Sequence, residues 1–280
     1  MTRKIHISVM AYDGNVPVPS FATTLGAIQK MVSEKQWNVS FHFRAGDSIL
    51  PRARNAEASN FIEDKDATDF VMIDADTWCG STELIKLIDA PVDIIGAPYR
   101  TRTEPLVWAS VRWLHQDVKP DLENGLLQVD SVGTGLIRIK RPVIEKMIEG
   151  MEPYRDPTAK SGKSWPVFWF TIERGHLWGE DISFCQAAAK LGYKVWADPS
   201  IATAHRGSVD FTANLEQWLA DSPPSMNIDD VIGKQTMVQN FYSKQFGQQT
   251  IEPVPQTDPL ASETETNIIS LPQQTKSEAA

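Results

Sequence analysis

The chain has 280 residues, enough to bury one sizeable hydrophobic core, and its hydrophobic content of 41% is ordinary for a globular protein. Its formal charge of −9 gives no electrostatic reason to expect a protein that binds duplex nucleic acid, because such proteins usually present a basic face. The two cysteines, Cys79 and Cys185, lack the spacing of a metal site and are too few for a disulfide framework. We therefore expect both to be small buried side chains.

The amino terminus continues directly into a strand-like stretch, without the apolar segment and small-residue cleavage site of a secretory signal. No uninterrupted apolar run approaches the length that a bilayer span requires. These two observations predict a cytoplasmic protein with no transmembrane segment.

The first hundred residues alternate between strand-like and helix-like stretches. Strands are predicted at 5–10, 39–43, 69–73 and 92–97, and helices at 21–35, 51–63 and 81–88. This alternation is typical of βαβ units, so it predicts an α/β fold with a mostly parallel sheet flanked by helices. In such sheets, ligands bind at the carboxyl ends of the strands.

The second half of the chain is less regular, and residues 101–124 resemble a variable loop. Further strands are predicted at 126–129, 136–139, 193–197 and 201–205, and further helices at 142–149, 180–191 and 229–246. After Gly247 the composition changes to Gln, Thr, Pro, Ser and Glu, which cannot bury enough apolar surface to fold. We therefore predict a single catalytic domain at 1–212, a helical extension at 213–246 and a disordered polar tail at 247–280.

Two acidic residues, Asp74 and Asp76, directly follow the apolar run at 70–73. Carboxylates placed one residue apart on a turn can face one hard cation and share it with a diphosphate, and manganese and magnesium favour such oxygen ligands. The spacing itself is not specific, because about one chance copy is expected in a chain of this composition. The second copy, Asp64 and Asp66, lies in a charged linker, where solvated surface is expected. Only the first copy ends a buried strand, which makes it the candidate metal site.

A second acidic pair, Glu180 and Asp181, opens a predicted helix. One interpretation of the pair is structural, because acids in a first helical turn stabilise the helix by interacting with its dipole and by accepting hydrogen bonds from its free N–H groups. The other is that one carboxylate acts as a general base toward a hydroxyl group. Trp165, Trp169 and Trp178 lie just before the pair, and their flat faces suit stacking on sugar rings, although such clusters more often belong to a core.

Five motifs in this order resemble those of GT-A-fold glycosyltransferases of the broad glycosyltransferase-2-like group. The resemblance covers roughly residues 5–210, and it implies a GT-A-like, Rossmann-related domain. It also implies a hexosyltransferase-like enzyme that moves a sugar from a UDP-linked donor to an acceptor hydroxyl with manganese or magnesium. The motifs are Ala53-Arg54-Asn55, the run 71–76, Val132-Gly133-Thr134-Gly135, the run 179–185, and Trp196-Ala197-Asp198-Pro199 with the stretch that leads to His205.

The resemblance also implies roles for individual residues. Asp74 and Asp76 match the motif that holds the metal and the ribose diphosphate, with Asp76 the more direct ligand. His205 falls where such enzymes supply a further metal or diphosphate contact. Asp181 matches the catalytic base of inverting members, and Glu180 is a neighbour that binds the acceptor.

The remaining implied contacts involve the donor and the acceptor. Arg54 and Asn55 would face the nucleotide end of the donor, and the exit of the first strand would border its base. Thr134 and Gly135 resemble the loop beside the donor sugar, although a simple tight turn explains Gly135 equally well. The implied donor contacts are Ala11, Tyr12, Asp13, Arg54, Asn55, Asp74, Ala75, Asp76, Thr134 and Gly135, and the implied acceptor contacts are Trp178, Gly179 and Glu180. The chain departs from the pattern by lacking a basic run after His205, where Arg206 stands alone.

Two other function classes remain open. A nucleotidyltransferase usually carries a Gly-rich phosphate loop with a basic residue near the amino terminus, whereas here the first strand ends in the sequence 11–15, AYDGN. A non-catalytic carbohydrate-binding protein on the same fold is the other alternative, and the retention of both acidic pairs argues against it. The sequence favours a saccharide acceptor but leaves a lipid-linked sugar, a protein or a modified nucleic-acid base open, and it leaves inversion against retention open.

Overall fold

The computed structural model describes residues 3–103, 106, 108, 111–112, 122–123, 125–173 and 175–221. All of them fall within one compact unit, Met1–Val231. The predicted helix at 229–246 and the predicted tail at 247–280 lie outside the described residues, as does most of the irregular stretch 101–124.

The described residues form six helices and seventeen strands, several of the strands very short. The helices are α1 (Val18–Ser33), α2 (Leu50–Glu63), α3 (Ser81–Asp89), α4 (Arg141–Ile148), α5 (Glu180–Lys190) and α6 (Leu215–Asp221). The strands are β1 (Lys4–Ala11), β2 (Asn38–Ala45), β3 (Asp69–Asp74), β4 (Thr77–Cys79), β5 (Ile94–Gly96), β6 (Val111–Arg112), β7 (Leu122–Glu123), β8 (Leu126–Val129), β9 (Ser131–Val132), β10 (Leu136–Lys140), β11 (Tyr154–Arg155), β12 (Lys163–Ser164), β13 (Thr171–Glu173), β14 (His176–Trp178), β15 (Val195–Ala197), β16 (Thr203–Arg206) and β17 (Asp210–Ala213).

Eight strands form the central sheet, in the order β2-β1-β3-β10-β5-β15-β8-β7. β1 pairs in parallel with both β2 and β3, and β5 pairs in parallel with β15. β10 lies antiparallel between β3 and β5, and β8 is antiparallel to β15. The predicted α/β fold with a mostly parallel sheet is therefore confirmed, with β10 as a reversed strand in its middle.

The core has two layers, one on each face of the sheet. On β3, Phe70 and Met72 pack into one cluster, whereas Val71 and Ile73 pack into the other, because successive strand residues point to opposite faces. Helices α2, α4 and α5 cover the first face, and α1 and α3 cover the second. Burial of each such side chain contributes about 1.5–3 kcal/mol, and coverage of both faces explains why β3 is apolar from Phe70 to Ile73.

A small three-stranded sheet, β17-β16-β4, lies beyond the end of β3. β4 begins two residues after β3 and pairs antiparallel with β16, which places His205 opposite Thr77. The backbone N–H of Arg206 donates to the carbonyl of Asp76 over 2.7 Å. This pairing brings the end of β16 to the acidic turn at the carboxyl end of β3.

Candidate active site

The acidic turn after β3 is held by its neighbours in the sheet. The backbone N–H of Asp74 donates to the carbonyl of Gly135 over 2.8 Å, and that of Ala75 donates to the carbonyl of Met10 over 2.9 Å. The turn therefore lies between the end of β1 and the start of β10, at the sheet edge where ligands bind in α/β proteins.

Arg54 of α2 joins the two acidic pairs. Its side chain is 2% exposed, and its Nη2 donates to both carboxylate oxygens of Asp74 over 2.8 and 3.0 Å. Its Nη1 forms an ion pair with Glu180 at the start of α5. Burial lowers the pKa of Arg54, but Asp74 and Glu180 together raise it above its ordinary value. The guanidinium is therefore a permanent positive charge that fixes both carboxylates in one place.

The two adjacent acids of α5 have different surroundings. Glu180 is buried against Arg54, and that burial raises the pKa of its carboxyl group even though Arg54 lowers it. Asp181 is half-buried, and its Oδ1 accepts a hydrogen bond from the backbone N–H of Ile182 over 2.7 Å. Adjacent helical residues point about 100° apart, so the first acid faces the arginine and the second faces another direction.

Asp76 lies next to a histidine and an arginine that come from other parts of the chain. Arg102 forms an ion pair with Asp76, and its Nε donates to Nε2 of His205 over 3.0 Å. Nδ1 of His205 lies 2.9 Å from the carbonyl oxygen of Arg100. A carbonyl can only accept, so Nδ1 carries the proton, and the lone pair of Nε2 accepts the hydrogen bond from Arg102. Oδ1 of Asp76 lies 3.8 Å from this Nε2.

These groups fit a divalent cation. A carboxylate oxygen and a neutral imidazole nitrogen are both ordinary ligand atoms for such an ion. Their separation of 3.8 Å is slightly longer than the roughly 3 Å between neighbouring ligands at bond lengths near 2.1 Å. The guanidinium of Arg102 stands at the same place, which shows that this position already accommodates a positive charge.

Gly135 is required here by a close approach. Its backbone N–H donates to Oη of Tyr99 over 3.3 Å. A Cβ atom at Gly135 would lie 2.9 Å from that oxygen and 3.0 Å from Oδ2 of Asp74, both too close. Thr134, the residue before it, is buried. The sequence allows Gly135 to be interpreted either as part of a loop beside the donor sugar or as a simple tight turn. Its close approach to Asp74 favours the first interpretation.

The exit of β1 borders an open cleft of about 320 Å³. Ala11 ends the strand in this cleft, whose walls include the half-exposed rings of Phe21 and Phe43. Tyr12 is 66% exposed, and Asp13 accepts a hydrogen bond from the backbone N–H of Asn15 over 3.0 Å. Of the three residues predicted to border a nucleotide base, Ala11 lines this apolar cleft, and Tyr12 and Asp13 follow it in the turn after β1.

Asn55 does not face the site. Its amide donates to the carbonyl of Phe168 over 2.9 Å and accepts from the backbone N–H of the same residue over 2.7 Å. Both of its polar groups are thus used to hold the loop before β13, because consecutive helical residues cannot share a face with Arg54. The predicted donor contact by Asn55 is not supported by this geometry.

The predicted acceptor residues lead directly into α5. β14 ends at Trp178, which is half-buried, and Gly179 caps the helix. The β13–β14 hairpin is tied to the helix by a 2.8 Å hydrogen bond between the hydroxyls of Thr171 and Ser183. Both cysteines are buried as expected, and burial raises the pKa of each thiol, that of Cys185 to about 12.

Sequence reasoning missed Arg102 and Tyr99. Both follow β5, whose carboxyl end lies at the same edge of the sheet as that of β3. Because the expected basic run after His205 is missing, the basic residues after β5 were the sequence signal that could have indicated another source of positive charge. Arg102 supplies a positive charge beside Asp76 from a different part of the chain.

No protein-family model and no curated protein sequence matches the chain. The fold is similar to that of A197 from STIV, with a TM-score of 0.43 and 15% identity over 74% of this chain and 86% of that one. It is also similar to the catalytic domain of Drosophila beta1,4galactosyltransferase 7 in complex with xylobiose, with a TM-score of 0.41 and 12% identity over 80% and 76%. For a mutant of that enzyme in complex with manganese, UDP-Gal and xylobiose, the TM-score is 0.39 and the identity is 13%, over 82% of this chain and 79% of that one. These solved structures thus include a galactosyltransferase.

Proposed function

We propose that the chain is a metal-dependent glycosyltransferase that moves a sugar from a nucleotide-sugar donor to an acceptor hydroxyl. The observation that carries this proposal is the ion-pair bridge through Arg54, which joins Asp74 of the first acidic pair to Glu180 of the second. The two acidic pairs, which include Asp76 as the assigned metal ligand and Asp181 as the assigned proton acceptor, thereby lie at one edge of the sheet. Groups that act on the donor and on the acceptor must lie close together, because the two substrates react within a few ångströms of each other.

The donor diphosphate is assigned to Asp76, His205 and Arg102. A divalent cation, manganese or magnesium, bound by Asp76 and His205 would neutralise charge on the leaving diphosphate. Arg102 provides a second positive charge at the same place. The nucleotide base, that of a UDP-linked sugar by the sequence resemblance, is assigned to the apolar cleft at the end of β1, where Phe21 and Phe43 offer aromatic faces.

The acceptor is assigned to the start of α5, with Asp181 as the general base. In that step, a carboxylate oxygen of Asp181 takes the hydroxyl proton while the hydroxyl oxygen bonds to the anomeric carbon. The bond from that carbon to the diphosphate breaks, and the diphosphate leaves with the electron pair. Glu180 is held by Arg54 and positions the helix start, and Trp178 offers a flat face to a saccharide acceptor.

The metal assignment is tested by Asp76→Asn, with calorimetric titration of nucleotide-sugars in the presence and absence of Mn²⁺. The matched control is Asp66→Asn, since Asp66 belongs to the second copy of the same spacing and is exposed. We expect Asp76→Asn to lose the metal-dependent part of donor affinity and Asp66→Asn to keep it. Wild-type metal-dependent affinity in Asp76→Asn contradicts the assignment.

Incubation with the nucleotide-sugar donor, with and without added pyrophosphate, separates the three function classes. A glycosyltransferase slowly hydrolyses its donor to free sugar and nucleoside diphosphate, whereas a nucleotidyltransferase supplied with pyrophosphate releases a nucleoside triphosphate. A carbohydrate-binding protein without activity releases none of these products. We expect the first outcome, after a thermal-shift screen with Mn²⁺ has identified the donor that raises the melting temperature most.

A further inference from the structure

Three side chains with metal-ligand atoms meet beneath α2, away from the acidic turn. They are His6 of β1, His42 of β2 and Glu57 of α2, and each offers one ligand atom within 4.8 Å of the others. His6 lies four strand positions before Met10, which is the partner of Asp74, so this cluster is about 13 Å along the sheet from the proposed donor site. His6 and Glu57 are buried, and His42 is half-buried at the solvent side.

Both ring nitrogens of His6 make only long polar contacts. Its side chain is 1% exposed, and among the described residues its Nε2 makes no hydrogen bond, although Oε2 of Glu57 is 3.5 Å away. Its Nδ1 faces the hydroxyl of Ser40, also at 3.5 Å. Contacts of 3.5 Å are longer than ordinary hydrogen bonds, so they compensate only weakly for the burial of the ring nitrogens. The Nε2 of His6 is thus buried beside a carboxylate that it contacts only weakly.

The carboxylate of Glu57 is fixed by contacts that leave one oxygen turned toward the histidines. Oε1 accepts from Arg44 over 2.6 Å and from Asn60 over 3.1 Å, while Oε2 accepts from Ser8 over 2.8 Å. Hydrogen bonds of this kind orient the ligands of protein metal sites. The ring of His42 stacks on that of His6, with centroids 4.2 Å apart, so it lies close to the other two side chains although it is only half-buried.

We propose that His6, His42 and Glu57 form a second metal site, which takes a transition-metal dication of the zinc class. Two imidazoles and one carboxylate are a known zinc ligand set, and imidazole favours such ions over magnesium. Ligand atoms in a tetrahedral zinc site lie roughly 3.3 Å apart, given bonds of about 2.0–2.1 Å. The cluster therefore closes on the ion by a shift of about 1.5 Å, which the half-buried His42 can provide. The ion ties together β1, β2 and α2, the helix that carries Arg54.

The charge around the site limits its affinity. Arg44 pairs with Glu57 and also donates to the carbonyl of Thr158 over 2.9 Å, and the positive charge of Lys160 acts on His42. A bound dication therefore adds positive charge beside two cations. We expect a micromolar dissociation constant for Zn²⁺, and we expect Arg44→Gln to strengthen binding roughly tenfold by removing the nearer repulsive charge.

The test is a calorimetric titration of the full chain with Zn²⁺ alone. The Asp76→Asn variant serves as the background because it removes the proposed donor-site metal. We expect one Zn²⁺ per chain in that background and a rise in melting temperature with it. His42→Gln should weaken binding at least tenfold. Ser40→Ala should keep it, because Ser40 lies against the other nitrogen of His6. Co²⁺ in place of Zn²⁺ should give the visible absorption of a tetrahedral site.

Equal Zn²⁺ binding in Asp76→Asn with and without His42→Gln would overturn the proposal, and so would the absence of binding at millimolar Zn²⁺. Should His42→Gln fail to fold, the Arg44→Gln arm decides, because weaker or unchanged binding there contradicts the site. The outcome is independent of the proposed glycosyltransferase activity, since that activity is tested with Mn²⁺ and nucleotide-sugars at Asp76.

Discussion

Arg102 and a divalent cation would compete for the same two side chains, Asp76 and His205. The guanidinium is paired with that carboxylate and also bonds His205, so metal binding requires the arginine to move away. Its head group is exposed enough to do so at small cost, because exposed ion pairs contribute only about 0.2–1 kcal/mol. Once displaced, the arginine is free to pair with the donor diphosphate instead.

This competition predicts the behaviour of Arg102→Ala. The variant should bind Mn²⁺ more tightly in the absence of donor, by up to about fivefold, because the competing charge is gone. It should bind the donor more weakly in the presence of Mn²⁺, because the diphosphate loses a positive partner. Electron paramagnetic resonance of free Mn²⁺ measures the first effect, and calorimetry measures the second. Arg206→Ala is the control, since Arg206 pairs with Asp210. An unchanged Mn²⁺ affinity in Arg102→Ala contradicts the competition.

The surroundings of Glu180 and Asp181 decide which of the two carboxylates is proposed as the general base. Glu180 is held against Arg54. Asp181 is half-buried, and one of its carboxylate oxygens accepts a hydrogen bond from a backbone N–H while the other does not take part in that bond. We expect Asp181→Asn to lower turnover by roughly 10² to 10⁴ while donor affinity stays nearly unchanged. The loss of charge at the helix start should cost only about 0.3–1 kcal/mol, so the melting temperature serves as the control.

A stable Asp181→Asn protein with near-normal turnover would rule out this base. Glu180→Gln would then identify the other carboxylate, and the anomeric configuration of the product, read by NMR, would show whether the reaction inverts or retains. Inversion with a slow Asp181→Asn variant agrees with a single displacement that this residue assists.

At the scale of elements, periodicity predicted the central strands and helices but not how all of them pair. β1, β3, α2 and α5 are each specified by a long local pattern, so the acidic pairs could be placed at a strand end and a helix start. The reversed direction of β10 and the small β17-β16-β4 sheet depend on pairings of three to five residues between distant parts of the chain. Local periodicity carries no signal for such pairings. For the same reason it could not predict that Arg102 lies beside Asp76, a contact between distant parts of the chain.

The reversed strand has a consequence for the site. Because β10 is antiparallel to β3, it begins where β3 ends, with Leu136 paired to Ile73. Gly135 therefore lies against Asp74, and the space between them is too small for a methyl group. A parallel strand in this place would present its other end to the acidic turn.

Gly135→Ala should therefore weaken donor binding without unfolding the protein. The added methyl group must push aside Oη of Tyr99 or the carboxylate of Asp74, and Asp74 is already fixed by Arg54. We expect a loss of donor affinity of roughly tenfold, which corresponds to about 1.4 kcal/mol. Gly80→Ala is the matched control, since there the methyl group meets only the end of the flexible Glu83 side chain. Equal affinities in the two variants would show that the close approach is not functional.

At the scale of the whole molecule, both faces of the sheet are covered within the described residues. The two core clusters draw on residues from Ile5 to Leu215, and the described segment ends at 221. Among the described residues, no helix combines the length and apolar character needed to cross a membrane. The sequence after Gly247 adds polar and Pro-rich composition without a core-forming pattern.

This organisation predicts that deletion of residues 248–280 leaves both the melting temperature and donor turnover near wild-type values. The contrasting truncation, after Asn214, removes α6 and with it Leu215, which is 0% exposed in the core, and Trp218, which packs against that core. Burial of one leucine contributes about 1.5–3 kcal/mol, so the shorter chain should melt at a clearly lower temperature. Differential scanning calorimetry of both truncations, beside donor hydrolysis rates, measures the difference. A large drop in melting temperature for the 1–247 chain would show that residues beyond Gly247 pack on the domain, and the predicted boundary would then be wrong.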